Sequence, residues 1–120
     1  MKVAITSQGQ DLEGAVDPRF GRAKCFLVVD TDTGELAAND NSQNLNAMQG
    51  AGIQAGRNVA ELGVEAVITG NVGPKAFATL QAAGVKVYVG ATGSAREALE
   101  KFKAGELQCV SQPNVEGHWV

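Results

Sequence analysis

Ala66-Val67-Ile68-Thr69-Gly70-Asn71-Val72-Gly73-Pro74 and Lys86-Val87-Tyr88-Val89-Gly90-Ala91-Thr92-Gly93-Ser94 are two copies of one pattern. In each, a short apolar run ends in a GxxG loop, and the next residue starts a helical periodicity. Pro74 suits a first helical turn because its missing N–H is not needed there, and Ser94 with Glu97 makes a capping box. The pattern predicts repeated βα units. Parallel strands joined by right-handed helical crossovers place both GxxG loops on the same edge of the sheet, at the carboxyl ends of the strands.

Working outward, Met1 to Thr6 reads as a buried first strand and Cys25 to Asp30 as a second. The turn residues Thr31, Asp32, Thr33 and Gly34 predict a hairpin that returns Glu35 to Ala38 as a third strand. Met48, Ala51, Gly52, Ala55, Val59 and Leu62 recur at three- and four-residue steps, one face of a helix beginning after Asn44. Strand four is Ala66 to Thr69, helix two Pro74 to Ala83, strand five Lys86 to Val89 and helix three Ser94 to Ala104. Gly63, Gly84 and Gly105 are placed to close the helices in the left-handed conformation. Within helix one, the run Gly50 to Gly56 is costly, about 1 kcal/mol per glycine relative to alanine. Close packing on the sheet explains it more simply than ligand contact.

The 120 residues, 44% hydrophobic and 19% charged, suit one globular domain over 1–120, with 108–120 read as a C-terminal tail. The formal net charge of −3 provides no global basic field to draw nucleic acid or an anionic membrane. No leader-like stretch precedes the first strand and no apolar run is long enough to span a bilayer, so a cytoplasmic location is expected. Cys25 and Cys109, the two cysteines, are expected as packed free thiols.

The glycine-loop edge is where an open α/β sheet binds ligands. Helix N-termini offer unpartnered N–H groups and partial positive charge, so an anion is the natural occupant. One GxxG loop alone reads as a tight connection, whereas two in register point to a site. Neither has a Gly-Lys-Ser/Thr ending or forms GxGxxG, so nucleotide binding has no sequence support. The long Ser7 to Lys24 segment carries Asp17-Pro18-Arg19-Phe20-Gly21-Arg22. Arg19, Arg22 and Lys24 could form a cationic spot beside a Phe20 aromatic face; equally, Asp17 could pair with Arg22 while Phe20 plugs the core. There is no CxxC, no paired-histidine zinc spacing and no nucleophile elbow. His118 stands alone near the terminus, and Asp30, Asp32, Asp40 and Glu97 are not expected to gather at the loop edge.

The stretches Asp17 to Asp30 (DPRFGRAKCFLVVD), Gly50 to Gly56 (GAGIQAG), Gly63 to Phe77 (GVEAVITGNVGPKAF) and Gly93 to Leu107 (GSAREALEKFKAGEL) resemble the dinitrogenase iron-molybdenum cofactor-binding family across nearly the whole chain. The resemblance implies an α/β, ribonuclease H-like three-layer fold: a mixed five-stranded sheet of order 3-2-1-4-5, strand 2 antiparallel, flanked by three helices. It also implies a carrier rather than an enzyme. Similarity to the small stand-alone members implies a molybdenum-copper sulfide cluster as cargo, with iron-molybdenum cofactor or a precursor as the alternative. Other proteins of the same pathway would be partners. Such a cluster is anionic and brings its own sulfides, so N–H groups, cations and apolar shielding suffice, with no direct protein ligand to the metal. Carried over by position, the rim comprises Arg19, Phe20, Gly21 and Arg22, then Asn71, Gly73, Pro74 and Lys75. Met48 and Gly50 at the entry of helix one, with Thr92 and Gly93 after strand five, complete it. A reading from another class is a protein-interaction or regulatory module whose pocket is vestigial.

Overall fold

Val3 to Ser7 and Ala66 to Ile68 are buried residue after residue, because both faces of their strands are covered. The computed structural model describes residues 1–41 and 51–113. In chain order the elements are β1 (Lys2–Ser7), β2 (Cys25–Asp30), β3 (Leu36–Asp40), α1 (Ala51–Glu61), β4 (Ala66–Ile68), α2 (Pro74–Ala82), β5 (Lys86–Val89), α3 (Ala95–Lys103) and β6 (Gln108–Val110). The sheet order is β3-β2-β1-β4-β5-β6. β1, β4 and β5 run parallel, while β2 is antiparallel to both β1 and β3.

The alternation of strand side chains divides the interior in two. Ala4, Phe26, Val67 and Val87 pack with Ala55 and Val59 of α1 and with Ala76, Phe77 and Leu80 of α2. Val3, Ile5, Leu27, Ala66 and Ile68 pack with Ala95, Ala98 and Leu99 of α3 on the opposite face. The result is three layers, as expected.

The expected sheet is one strand short. Gln108–Val110, assigned to a tail from sequence, pairs antiparallel with β5 as a sixth strand. Three residues are too few to show a period of two, and the edge of β5 supplies the hydrogen bonds that order them. The placement also corrects the expectation for Cys109, which is exposed on this edge, whereas Cys25 is buried. β3 begins and ends later than expected because Thr31 to Glu35 are all used by the turn. Asp30 N–H donates to Glu35 O at 2.9 Å, and Gly34 N–H to Asp30 O at 2.8 Å.

Gly63, Gly84 and Gly105 close the helices with φ of +73°, +76° and +74°. Gly56 of α1 serves close packing, but against a helix rather than the sheet. A Cβ on Gly56 would stand 2.9 Å from Thr79 Cγ2 in α2. The expected start of this helix after Asn44, together with Met48 and Gly50, lies outside the described residues. So does His118.

Candidate functional site: the carboxyl edge of the sheet

Ser7 opposite Cys25, and Cys25 opposite Asp40, bring the end of β1, the start of β2 and the end of β3 to one edge. The parallel strands β4 and β5 end there too, so the segments 8–24, 69–73 and 90–94 share that rim. Two buried hydroxyls tie its floor together. Thr6 and Thr69 are hydrogen-bonded to each other at 2.9 Å, and the Thr6 hydroxyl also lies 2.8 Å from Asp17 O.

The segment after β1 has two halves with different jobs. Residues 8–15 double back, with Gln8 N–H donating to Ala15 O at 2.9 Å. Gly9 and Gly14 face each other so closely that a Cβ on Gly14 would lie 3.0 Å from Gly9 Cα. This reversal leans on the start of α3. Ala95 N–H donates to Gly14 O at 2.8 Å and Arg96 N–H to Leu12 O at 2.9 Å. Arg96 Nε pairs with Glu13 Oε1 at 2.6 Å.

Residues 17–24 instead lean on the β4–α2 loop. Asp17 Oδ1 accepts from Arg19 N–H at 3.1 Å, and Arg19 makes a parallel bridge with Asn71. Phe20 N–H donates to Asn71 O at 3.3 Å, and Asn71 Nδ2 donates to Pro18 O at 3.0 Å. Asn41, fully buried, anchors the far end through Nδ2 to Ala23 O at 2.7 Å.

The two glycine loops, alike in sequence, are therefore unlike in chemistry. At α3 the first-turn amides are all taken: two by the carbonyls of Leu12 and Gly14, and that of Glu97 by Ser94 Oγ at 3.1 Å. Ser94 N–H donates to Glu97 Oε1 at 3.1 Å, completing the expected capping box. At α2 the N-cap is Gly73, which provides no side-chain cap, and Pro74 follows without an N–H. The Lys75 and Ala76 amides have no protein partner among the described residues. Two equivalent open helix starts were expected; the structure leaves one open, because the 8–15 reversal supplies carbonyls to the other.

Of the expected rim residues, Arg19 and Asn71 are brought together, with Gly73, Pro74 and Lys75 continuing from Asn71. Arg19, Pro74 and Lys75 are exposed, Arg22 and Asn71 partly so, and Gly21 and Gly73 are buried. Phe20 presents no face to a ligand. It is fully buried, its ring 5.4 Å from that of Phe26, so it plugs the core end of the loop. Thr92 and Gly93 are exposed on the α3 side, where Gly93 O accepts from Val16 N–H at 2.9 Å. Asp40 and Glu97 lie on this edge against expectation, Asp40 as the end of β3 and Glu97 through its bond to Ser94. Thr6, Thr69 and Asn41 were not singled out from sequence. The threonines did leave a signal, since each ends an apolar strand run with a hydroxyl; Asn41 left none.

Burial shifts two titratable groups of this edge. Burial pushes the Cys25 thiol up, and the Asp40 carboxylate adds to that, so Cys25 stays a thiol, 3.0 Å from Gly9 O. Burial also raises Asp17, against the opposing pull of the Arg19 amide and the Arg19 charge. Among the described residues no group of three or more His, Cys, Asp or Glu side chains could hold a metal ion. No helix among them is long and apolar enough to cross a membrane.

Glu97 is held below the ordinary carboxylate range, first by the Ser94 backbone N–H. A depressed folded-state pKa contributes stability above the unfolded value, and that contribution is lost as pH falls through the folded one. Glu97→Ala is therefore expected to lower the melting temperature at neutral pH. The gap from the unsubstituted protein should close on acidification through the carboxylate range, in paired thermal melts.

The family model described as dinitrogenase iron-molybdenum cofactor matches residues 1–105. The apo form of the orange protein from Desulfovibrio gigas superposes with a TM-score of 0.92 at 43% identity, covering 95% of this chain and 96% of that one. A Thermotoga protein of the DUF35 family, described as a candidate NifB protein, gives a TM-score of 0.83 at 39% identity and covers 97% and 98% of the two chains. An uncharacterised protein of Methanocaldococcus jannaschii is 33% identical over 110 residues, 90% of each chain.

Proposed function

The chain belongs to the dinitrogenase iron-molybdenum cofactor family, and we propose on that premise that it binds and carries a preassembled anionic metal-sulfide cluster without turning it over. The observation that carries this reading is the uncapped start of α2 beside the bridged pair Arg19 and Asn71. A dianionic or more highly charged cluster gains from the two open amides, the helix dipole and the Arg19 and Lys75 charges. The donor set fits such cargo. The cluster's own sulfides satisfy its metals, and a rim without thiolate or imidazole groups among the described residues does not compete for them. Arg22 and Lys24 extend the cationic field, and Thr92 and Gly93 serve as the polar wall on the α3 side.

Within the family, a molybdenum-copper sulfide cluster suits this rim better than iron-molybdenum cofactor, because the rim holds charge and shape rather than an exposed metal. The test is reconstitution. Apo-protein mixed with tetrathiomolybdate and copper is expected to give a stoichiometric, protein-bound visible chromophore containing both metals. Combining Arg19→Glu with Lys75→Glu should weaken retention by at least about tenfold, equivalent to ~1.4 kcal/mol, and more so at low salt. A chromophore that passes unbound through gel filtration, or retention unaffected by the two reversals, would overturn the reading.

A further inference from the structure

We propose that the outer edge of β3 is a strand-addition surface for an extended, lysine- or arginine-bearing segment of another protein. The hydrogen-bond phase of the β2–β3 ladder sets which backbone groups face outward. Asp30 N–H donates to Glu35 O and Asn41 N–H to Lys24 O, each at 2.9 Å, so the bonded pairs are Lys24 with Asn41, Phe26 with Asn39, Val28 with Ala37 and Asp30 with Glu35. Leu36 and Ala38 lie in the alternate pairs. Their N–H and C=O groups point away from β2, and no other described element bonds to them.

An open edge is usually guarded by proline, lysine, a bulge or shortness. The opposite edge, β6, is three residues long and is followed by Pro113. β3 runs five residues without proline or lysine, its Leu36, Ala37 and Ala38 exposed. Inward of this edge, over the sheet face, is a groove lined by Val28, Leu36 and Ala37, with Lys2, Asp30 and Glu35 around it. Charge selects the occupant. From Thr31 to Asn41 the chain carries Asp32, Glu35 and Asp40 and no lysine or arginine; Asp32 is paired with the Met1 ammonium at 2.9 Å, so the sign along β3 is set by Glu35 and Asp40. A second copy would bring like charges to one seam, whereas a basic strand would be attracted. The Asp40 end of β3 opens on the rim, so a docked partner would sit next to that rim.

The test uses apo-protein and a short fluorescent peptide alternating lysine and valine, so its outcome is independent of cargo binding. Saturable binding by anisotropy is expected, with slowed amide exchange at Leu36 and Ala38. Ala38→Pro removes an outward donor without touching the β2 ladder and should cost at least about tenfold in affinity. Glu35→Lys, which leaves the backbone intact, should weaken binding several-fold if the proline variant folds poorly. Absence of saturable binding, equal binding of a glutamate-valine peptide, or protection elsewhere would overturn the proposal. So would concentration-dependent self-association that protects the same two amides.

Discussion

Phe20→Ala is expected to destabilise the protein by about 3–5 kcal/mol, the range for deleting a fully buried phenylalanine ring. The ring lies in the loop that supplies the cationic rim, yet it is fully buried and packed on Phe26. Neighbouring small residues, Ala4, Ala23 and Ala55, belong to the same cluster and cannot expand into the space. Urea unfolding monitored by circular dichroism should show the midpoint fall steeply, with Phe20→Leu recovering much of the loss. A midpoint for Phe20→Ala close to that of the unsubstituted protein would mean that the ring is not part of the core.

Gly70→Ala is the second large effect, and it separates the loop's position from its core anchor. A Cβ at Gly70 would stand 2.8 Å from Pro18 Cα and 3.0 Å from Pro18 O. Both are backbone atoms, so no side-chain rotation relieves the contact. The cost is about 1–3 kcal/mol of overpacking or an outward shift of residues 17–20. Either outcome strains the Arg19–Asn71 bridge and the 3.0 Å bond from Asn71 Nδ2 to Pro18 O. Retention of a reconstituted cluster should therefore fall more than the melting temperature suggests, in parallel measurements. A fully stable Gly70→Ala protein with full retention would show that the two loops need not touch.

Much of this fold could be read directly. Gly63, Gly84 and Gly105, the Ser94–Glu97 box and Pro74 mark helix ends through local chemistry that does not depend on the rest of the chain. β6 could not, because its three residues are ordered by the edge they join. The rim was legible as a place and only partly as a device. GxxG states that a strand turns into a helix; it does not state whether carbonyls from Leu12 and Gly14, more than 80 residues earlier in the chain, have claimed that helix start. Phe20 shows the same limit. An aromatic between two arginines reads as a ligand face until the topology places it against Phe26.

The stapling of residues 17–24 to the β4–α2 loop has a kinetic consequence. Hydrogen bonds to protein groups and the Phe20 anchor fix this side of the rim without any ligand contact, so the proposed capture would cost little chain entropy and express most of its electrostatic attraction as affinity. The same anchoring makes loop opening costly, since moving the backbone at Arg19 displaces Phe20, its neighbour, from the interior. A cluster carried as proposed would then be expected to pass to an acceptor that meets it at the standing rim, in a transfer whose rate follows the acceptor's concentration.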